Sequence, residues 1–145
     1  MNFQEFSELY PTVTAGLRGL TVAIKEAGLD PALTELVKIR ASQINGCAFC
    51  LRFHLTAARG LGIDKAKLDL LAAWRDSGVF TTREQAALAW TERLTALPQT
   101  HLSEAEREEA RCALSPEIFA QLCVAIATIN AWNRIAAGLG FPPPG

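Results

Sequence analysis

The chain has 145 residues, half of them hydrophobic and a fifth charged, with a formal net charge of −1. That composition excludes a disordered chain and gives enough length for a buried core, so a single domain over residues 1–145 is expected. Acidic and basic residues are interspersed, so the chain carries no electrostatic footprint for nucleic acid or an anionic membrane, and neither partner is expected.

Taken in order, the segments read as helix after helix, with no period-2 alternation bounded by turns. Met1-Asn2-Phe3-Gln4-Glu5-Phe6 lacks the basic region and apolar run of a secretory signal, so a cytoplasmic protein is the expectation. Pro11 opens a helix to Glu26, stopped by Gly28, and Asp30-Pro31 opens another that ends near Asn45-Gly46. A third runs from about Cys47 to Gly60, with Gly60 and Gly62 as stop signals. Asp64 caps the next, which continues through Leu68, Leu71 and Trp74 to Gly78. Thr82 with Gln85 forms a capping-box pattern before Arg83 to Leu97, closed by Pro98, and Ser103 with Glu106 repeats it before Glu104 to Leu114. Ser115-Pro116-Glu117 opens the last and longest helix, to Gly138. It is apolar on most sides, as a helix central to a core or set against another subunit would be. Leu114 to Leu139 is the nearest approach to a membrane span, but Glu117, Gln121, Asn130, Asn133 and Arg134 interrupt it.

The chemistry concentrates in Cys47-Ala48-Phe49-Cys50-Leu51-Arg52-Phe53-His54, two thiols and an imidazole in the order C-x-x-C-x-x-x-H. If all of it is helical, Cys50 lies about 60° around the axis from Cys47 and His54 falls between them. His54 is then about 6 Å along the axis from Cys50 and about 10 Å from Cys47, so the imidazole serves Cys50 more easily. Cys47 falls at the helix start, where unpaired N–H groups stabilise a thiolate. A thiolate activated by a neighbouring base attacks a peroxide oxygen or a disulfide, and a second thiol condenses with the resulting sulfenic acid.

Other readings of these residues stay open. C-x-x-C is also zinc-ligand spacing, although no second C-x-x-C supplies further ligands. Haem attachment fails, because C-x-x-C-H would need histidine at Leu51. Two buried cysteines can also pack as small hydrophobes beside a satisfied core histidine. Glu35 shares a helix side with Lys38 and Ser42, away from Leu33, Val37 and Ile44, which reads as a solvated carboxylate beside a lysine. Arg40 lies among apolar positions without a sequence-level account. Cys112 and Cys123 read as inert packing, His101 as a surface residue, and Trp74, Trp90 and Trp132 as core or interface.

Glu35-Leu-Val-Lys-Ile-Arg-Ala-Ser-Gln-Ile-Asn-Gly-Cys47-Ala-Phe-Cys50-Leu-Arg-Phe-His54 carries an E-x11-C-x2-C-x3-H pattern, and through it the chain resembles the AhpD-like alkylhydroperoxidases of the carboxymuconolactone decarboxylase superfamily. Phe80 to Glu92 and Asn130-Ala-Trp132-Asn133-Arg134 are similar to segments of its peroxidase-related branch. The resemblance implies an all-α bundle and a thiol peroxidase acting on organic hydroperoxides, without a metal or organic cofactor. By it, Cys50 attacks, Cys47 resolves and lies nearer the surface, and a disulfide cycles between them. His54 belongs to the relay that deprotonates Cys50, and Glu35 orients that relay. An external dithiol or protein reductant is implied, as is a homo-oligomer, trimer or hexamer. Some members carry a second histidine at the position of Phe49. The decarboxylase branch lacks the cysteine pair, so retention of both thiols speaks against lactone decarboxylation. The alternatives are a thiol–disulfide partner that recycles another peroxidase and a non-catalytic helical oligomer.

Overall fold

Capping side chains set the helix boundaries of this protein. The computed structural model describes residues 1–97 and 99–145, and among them every regular element is helical. Asn2 opens α1 (Phe3–Leu9) with a full capping box, accepting from Glu5 N–H while the Glu5 carboxylate accepts from Asn2 N–H. Sequence reasoning passed over this helix, although Asn2 and Glu5 carry its signature. Pro11 begins α2 (Pro11–Glu26), and Asp30 caps α3 (Pro31–Asn45) by accepting from Ala32 N–H. The motif helix, α4, spans Ala48–Gly60. Ser103 and Glu106 form the expected capping box before α8 (Glu104–Leu114), and Ser115 opens α9 (Pro116–Leu139).

Two expected boundaries differ. The helix from Asp64 is not continuous to Gly78: α5 (Lys65–Leu70) passes through a 3-10 turn at Leu71–Ala73 into α6 (Trp74–Ser77). Leu68, Leu71 and Trp74 are spaced by three, so in a continuous α-helix each step rotates them about 60° apart. A 3-10 turn eclipses positions i and i+3, which lets these side chains bury together. The cap of α7 (Thr82–Thr95) is Thr81, accepting from Glu84 N–H, and not Thr82. Gln85 instead donates to the Phe80 carbonyl, which holds Phe80 in the core. Pro98, the expected stop of this helix, lies outside the described residues.

The fold is built around α3, which packs against α4, α7 and α9. Its side chains enter three separate core clusters. Leu33 and Val37 meet Trp90, Leu122 and Ile126, Leu36 and Ile39 meet Leu71 and Leu88, and Ala41 meets Cys50 and Ile129. A helix buried on so many sides leaves its few polar side chains enclosed, and each then needs a partner. Arg40 finds one: its Nε donates to Glu92 Oε1 at 2.9 Å and its Nη1 to Gln43 Oε1 at 3.0 Å. α9 is long and apolar enough by length and composition to cross a membrane. In the fold it supplies Leu122, Ala125, Ile126 and Ile129 to the core and packs along α2, α3, α7 and α8.

Candidate active site

The junction between α3 and α4 places the motif. Gly46 ends α3 with φ of 66°, a left-handed conformation that glycine adopts without penalty. Cys47 N–H then returns to the Ser42 carbonyl at 3.0 Å. α9 clamps the turn from the side. Asn45 Nδ2 donates to Asn130 Oδ1 at 3.0 Å and to Asn133 Oδ1 at 2.8 Å, and Asn133 Nδ2 donates to Ser42 Oγ at 3.1 Å. The asparagines of the Asn130-Ala-Trp-Asn133 segment therefore hold the approach to Cys47.

Cys47 is not inside α4. It is the N-cap residue, with extended backbone, and its Sγ accepts from Cys50 N–H at 3.2 Å. This places Cys47 at the helix start, as expected, but in the cap and outside the helical turns: the cysteine takes the capping role normally filled by Ser, Thr, Asp or Asn. The two cysteines form a disulfide, with Cα atoms 5.3 Å apart. Cys47 is 7% exposed and Cys50 2%, so both are buried in a cluster with Ala41, Phe49 and Ile129.

His54 follows Cys50 by one turn of α4, and its Nδ1 lies 2.8 Å from Glu35 Oε2. An ionised carboxylate only accepts, so Nδ1 donates the shared proton, and in the neutral ring Nε2 is then the nitrogen with the lone pair. Both side chains are largely buried, 10% and 14% exposed. The reading of Glu35 as a solvated carboxylate beside Lys38 is thereby overturned. The side of α3 that carries Glu35, Lys38 and Ser42 turns inward, because α3 is enclosed by its neighbours. Lys38 itself is buried, and its Nζ donates to Thr21 Oγ1 of α2 at 2.9 Å.

Cys50, His54 and Lys38 share the lining of one cavity of about 320 Å³. Its other walls are Phe3, Phe49, Phe53, Val22, Trp132, Thr21 and Arg18, so a largely apolar pocket, open to solvent beside the exposed Val22, Phe53 and Arg18, holds a few polar groups at its base. Phe49 stands where some relatives of this pattern have histidine. Here it sits in an aromatic cluster, with ring centroids 5.5 Å from Phe3 and 5.3 Å from Phe141. Sequence reasoning missed Lys38, Arg18 and Trp132 as lining residues. The sequence carries no clear signal for Lys38, because with Glu35 and Ser42 it reads as a polar side of the helix. Cys112, expected as packing, is exposed, and Cys123 is half-buried. His101 is exposed. Among the described residues no group of three or more His, Cys, Asp or Glu side chains is arranged to hold a metal ion.

Comparison with known proteins agrees with this architecture. The sequence model of the carboxymuconolactone decarboxylase family matches residues 9–93. The uncharacterized protein YdfG of Bacillus subtilis is 34% identical over 80% of this chain and 79% of its own length. A crystal structure from Agrobacterium tumefaciens, of a protein of unknown function named as a candidate antioxidant defence protein AhpD, superposes with a TM-score of 0.88. It is 34% identical and covers 97% of this chain and 96% of that one. An uncharacterized peroxidase-related protein from Silicibacter shares the fold at 21% identity, with a TM-score of 0.78 over 90% of this chain and 69% of its own. The all-helical fold, the match across more than half of the sequence and the similarity to these proteins make this chain an AhpD-like member of the carboxymuconolactone decarboxylase family.

Proposed function

We propose that the protein is a thiol-dependent peroxidase that reduces organic hydroperoxides through Cys47 and Cys50. The observation that carries this reading is a dithiol pair at disulfide distance, one turn from a histidine paired with a buried carboxylate, all beside an apolar cavity. The names of the Agrobacterium and Silicibacter proteins point in the same direction.

In the proposed cycle the Cys50 thiolate attacks the terminal oxygen of the hydroperoxide. An S–O bond forms, the O–O bond breaks, and the departing alkoxide takes a proton from the His54 imidazolium to leave as an alcohol. His54 has that proton because its Nε2 removed it from the Cys50 thiol, while Glu35 accepts from Nδ1–H and stabilises the cation. The Cys47 thiol then attacks the Cys50 sulfenic sulfur, forming the disulfide and releasing water. An external dithiol returns two electrons and two protons. The aromatic walls favour a hydroperoxide with an apolar body, because burying that body contributes about 25 cal/mol for each Å² removed from water.

One equivalent of cumene hydroperoxide added to reduced protein, followed by an alkylating quench and mass mapping, tests the reading. The expected outcome is rapid loss of two alkylation sites, confined to a Cys47–Cys50 disulfide. If both thiols still alkylate after long exposure, direct peroxide reduction is wrong. Exchange with a protein disulfide, as in a partner that recycles another peroxidase, then replaces it.

A further inference from the structure

The cycle above leaves Lys38 unused, although its side chain lines the same cavity as Cys50 and His54. Lysine is seldom fully buried, because an enclosed ammonium loses its hydration. Lys38 is 4% exposed, and its hydrogen-bond partner is a neutral hydroxyl, Thr21 Oγ1, and not a carboxylate. Burial pushes its ammonium down from the ordinary lysine value, and the Glu35 carboxylate one turn away opposes that effect. For folding alone, a methionine or leucine at this position would pack with less cost.

Charge bookkeeping gives the lysine a role. With the cysteines oxidised, Lys38 and Glu35 balance one another. When the disulfide is reduced and Cys50 ionises, a second negative charge enters the enclosure, and the proton moved to His54 restores neutrality. Without Lys38 the same state carries one uncompensated negative charge between apolar walls, where the interaction of charges is poorly screened. The other elements add little to this balance. α1 and α9 present Phe3 and Trp132, and Arg18 of α2, a cation that also lines the cavity, is an exposed residue whose guanidinium lies over the Phe3 ring, 5.3 Å from its centroid.

We propose that Lys38 is a positioning residue of the site, an ammonium anchored by Thr21 that holds reduced Cys50 in its thiolate form. The proposal rests on the peroxidase reading for its purpose, but not for its test. Thiolate content is read without peroxide, by brief iodoacetamide pulses on the reduced protein between pH 5 and 10, followed by mass analysis of the Cys50 peptide. Lys38→Gln, which retains hydrogen bonding to Thr21, and Lys38→Met are expected to alkylate about tenfold or more slowly at pH 7. Their rates should meet or exceed the wild-type rate at the alkaline end, where every thiol is ionised. Lys38→Arg keeps the charge and is expected to keep the wild-type midpoint. A residue needed only for packing would not move the midpoint or be rescued by arginine.

Coincident profiles for wild type and Lys38→Gln would overturn the proposal, as would a wild-type midpoint at or above the ordinary thiol value of about 8.5. Should the neutral variants fail to fold, the His54→Asn protein decides. A midpoint still below the ordinary value, with the imidazole gone, supports the lysine, and one at or above it rules the lysine out. Fast peroxide oxidation with a lysine-independent profile removes this proposal alone. A lysine-dependent profile with inert peroxide chemistry removes the peroxidase reading alone.

Discussion

At the scale of single residues, the proposed cycle depends on the Glu35–His54 pair. In the proposed cycle the Glu35 carboxylate, 2.8 Å from Nδ1, fixes the imidazole tautomer and compensates the charge that His54 gains when it takes the thiol proton. Glu35→Gln keeps the shape and removes that compensation. Its peroxide-driven disulfide formation is expected to slow by about tenfold to a hundredfold, within the range that positioned acid–base groups contribute. His54→Asn should be slower still, since the base itself is gone. Stopped-flow measurement of tryptophan fluorescence, with Trp132 lining the cavity, follows both reactions. Equal rates for wild type and His54→Asn would remove the imidazole from the mechanism. The Glu35, Cys47, Cys50 and His54 spacing was legible in the sequence because sequence order alone carries the pattern. That Glu35 reaches His54 was not, since a helical wheel reports which residues share a side and not which side is covered. The same blindness hid Lys38, whose side of α3 reads as polar surface and is enclosed by α2 and α4.

At the scale of elements, sequence reasoning did well wherever local chemistry ends a helix. The prolines at Pro11, Pro31 and Pro116, the Ser103 capping box and the left-handed Gly46 all act within a few residues of where they stand. It failed where a distant partner decides, as in the break after Leu70, which serves the packing of Leu71 and Trp74 against α3. The Gly46 turn matters most for the site, because Cys47 caps α4 immediately after it. An added Cβ at Gly46 meets no heavy atom within 4 Å, so substitution there is penalised through the backbone and not through a clash. Gly46→Ala is therefore expected to cost about 1 kcal/mol in urea unfolding, and Gly46→Asn less, because asparagine tolerates the left-handed region. Equal stability of all three proteins would show that the turn relaxes to another conformation. A faster reduction of the Cys47–Cys50 disulfide in Gly46→Ala would show that the turn also holds the dithiol.

At the scale of the whole molecule, α3, α6 and α7 meet at one carboxylate. Glu92 Oε1 accepts from Arg40 Nε at 2.9 Å and from Trp74 Nε1 at 2.8 Å, and Oε2 accepts from Arg75 Nη1 at 2.5 Å. Arg40, an unexplained charge in the sequence, thus becomes the tie between the central helix and α7. Burial alone raises the Glu92 pKa, but the hydrogen bonds from Arg75, Trp74 and Arg40 outweigh it, and the net shift is downward. A carboxyl with a lower pKa folded than unfolded binds fewer protons in the folded state. Its stabilisation is complete above the unfolded value near 4.5 and is lost as pH falls through the folded value. Glu92→Gln removes the charge and leaves one donor facing an amide that cannot accept as a carboxylate does, at a cost of about 1–3 kcal/mol near neutrality. Urea unfolding of wild type and Glu92→Gln at pH 7 and at pH 3 checks both statements. The gap between the two proteins should be largest at pH 7 and shrink at pH 3, where wild-type Glu92 is closer to protonation. A gap that stays constant across that range would mean that the carboxylate's hydrogen-bonding shape holds the three helices together, and its charge does not.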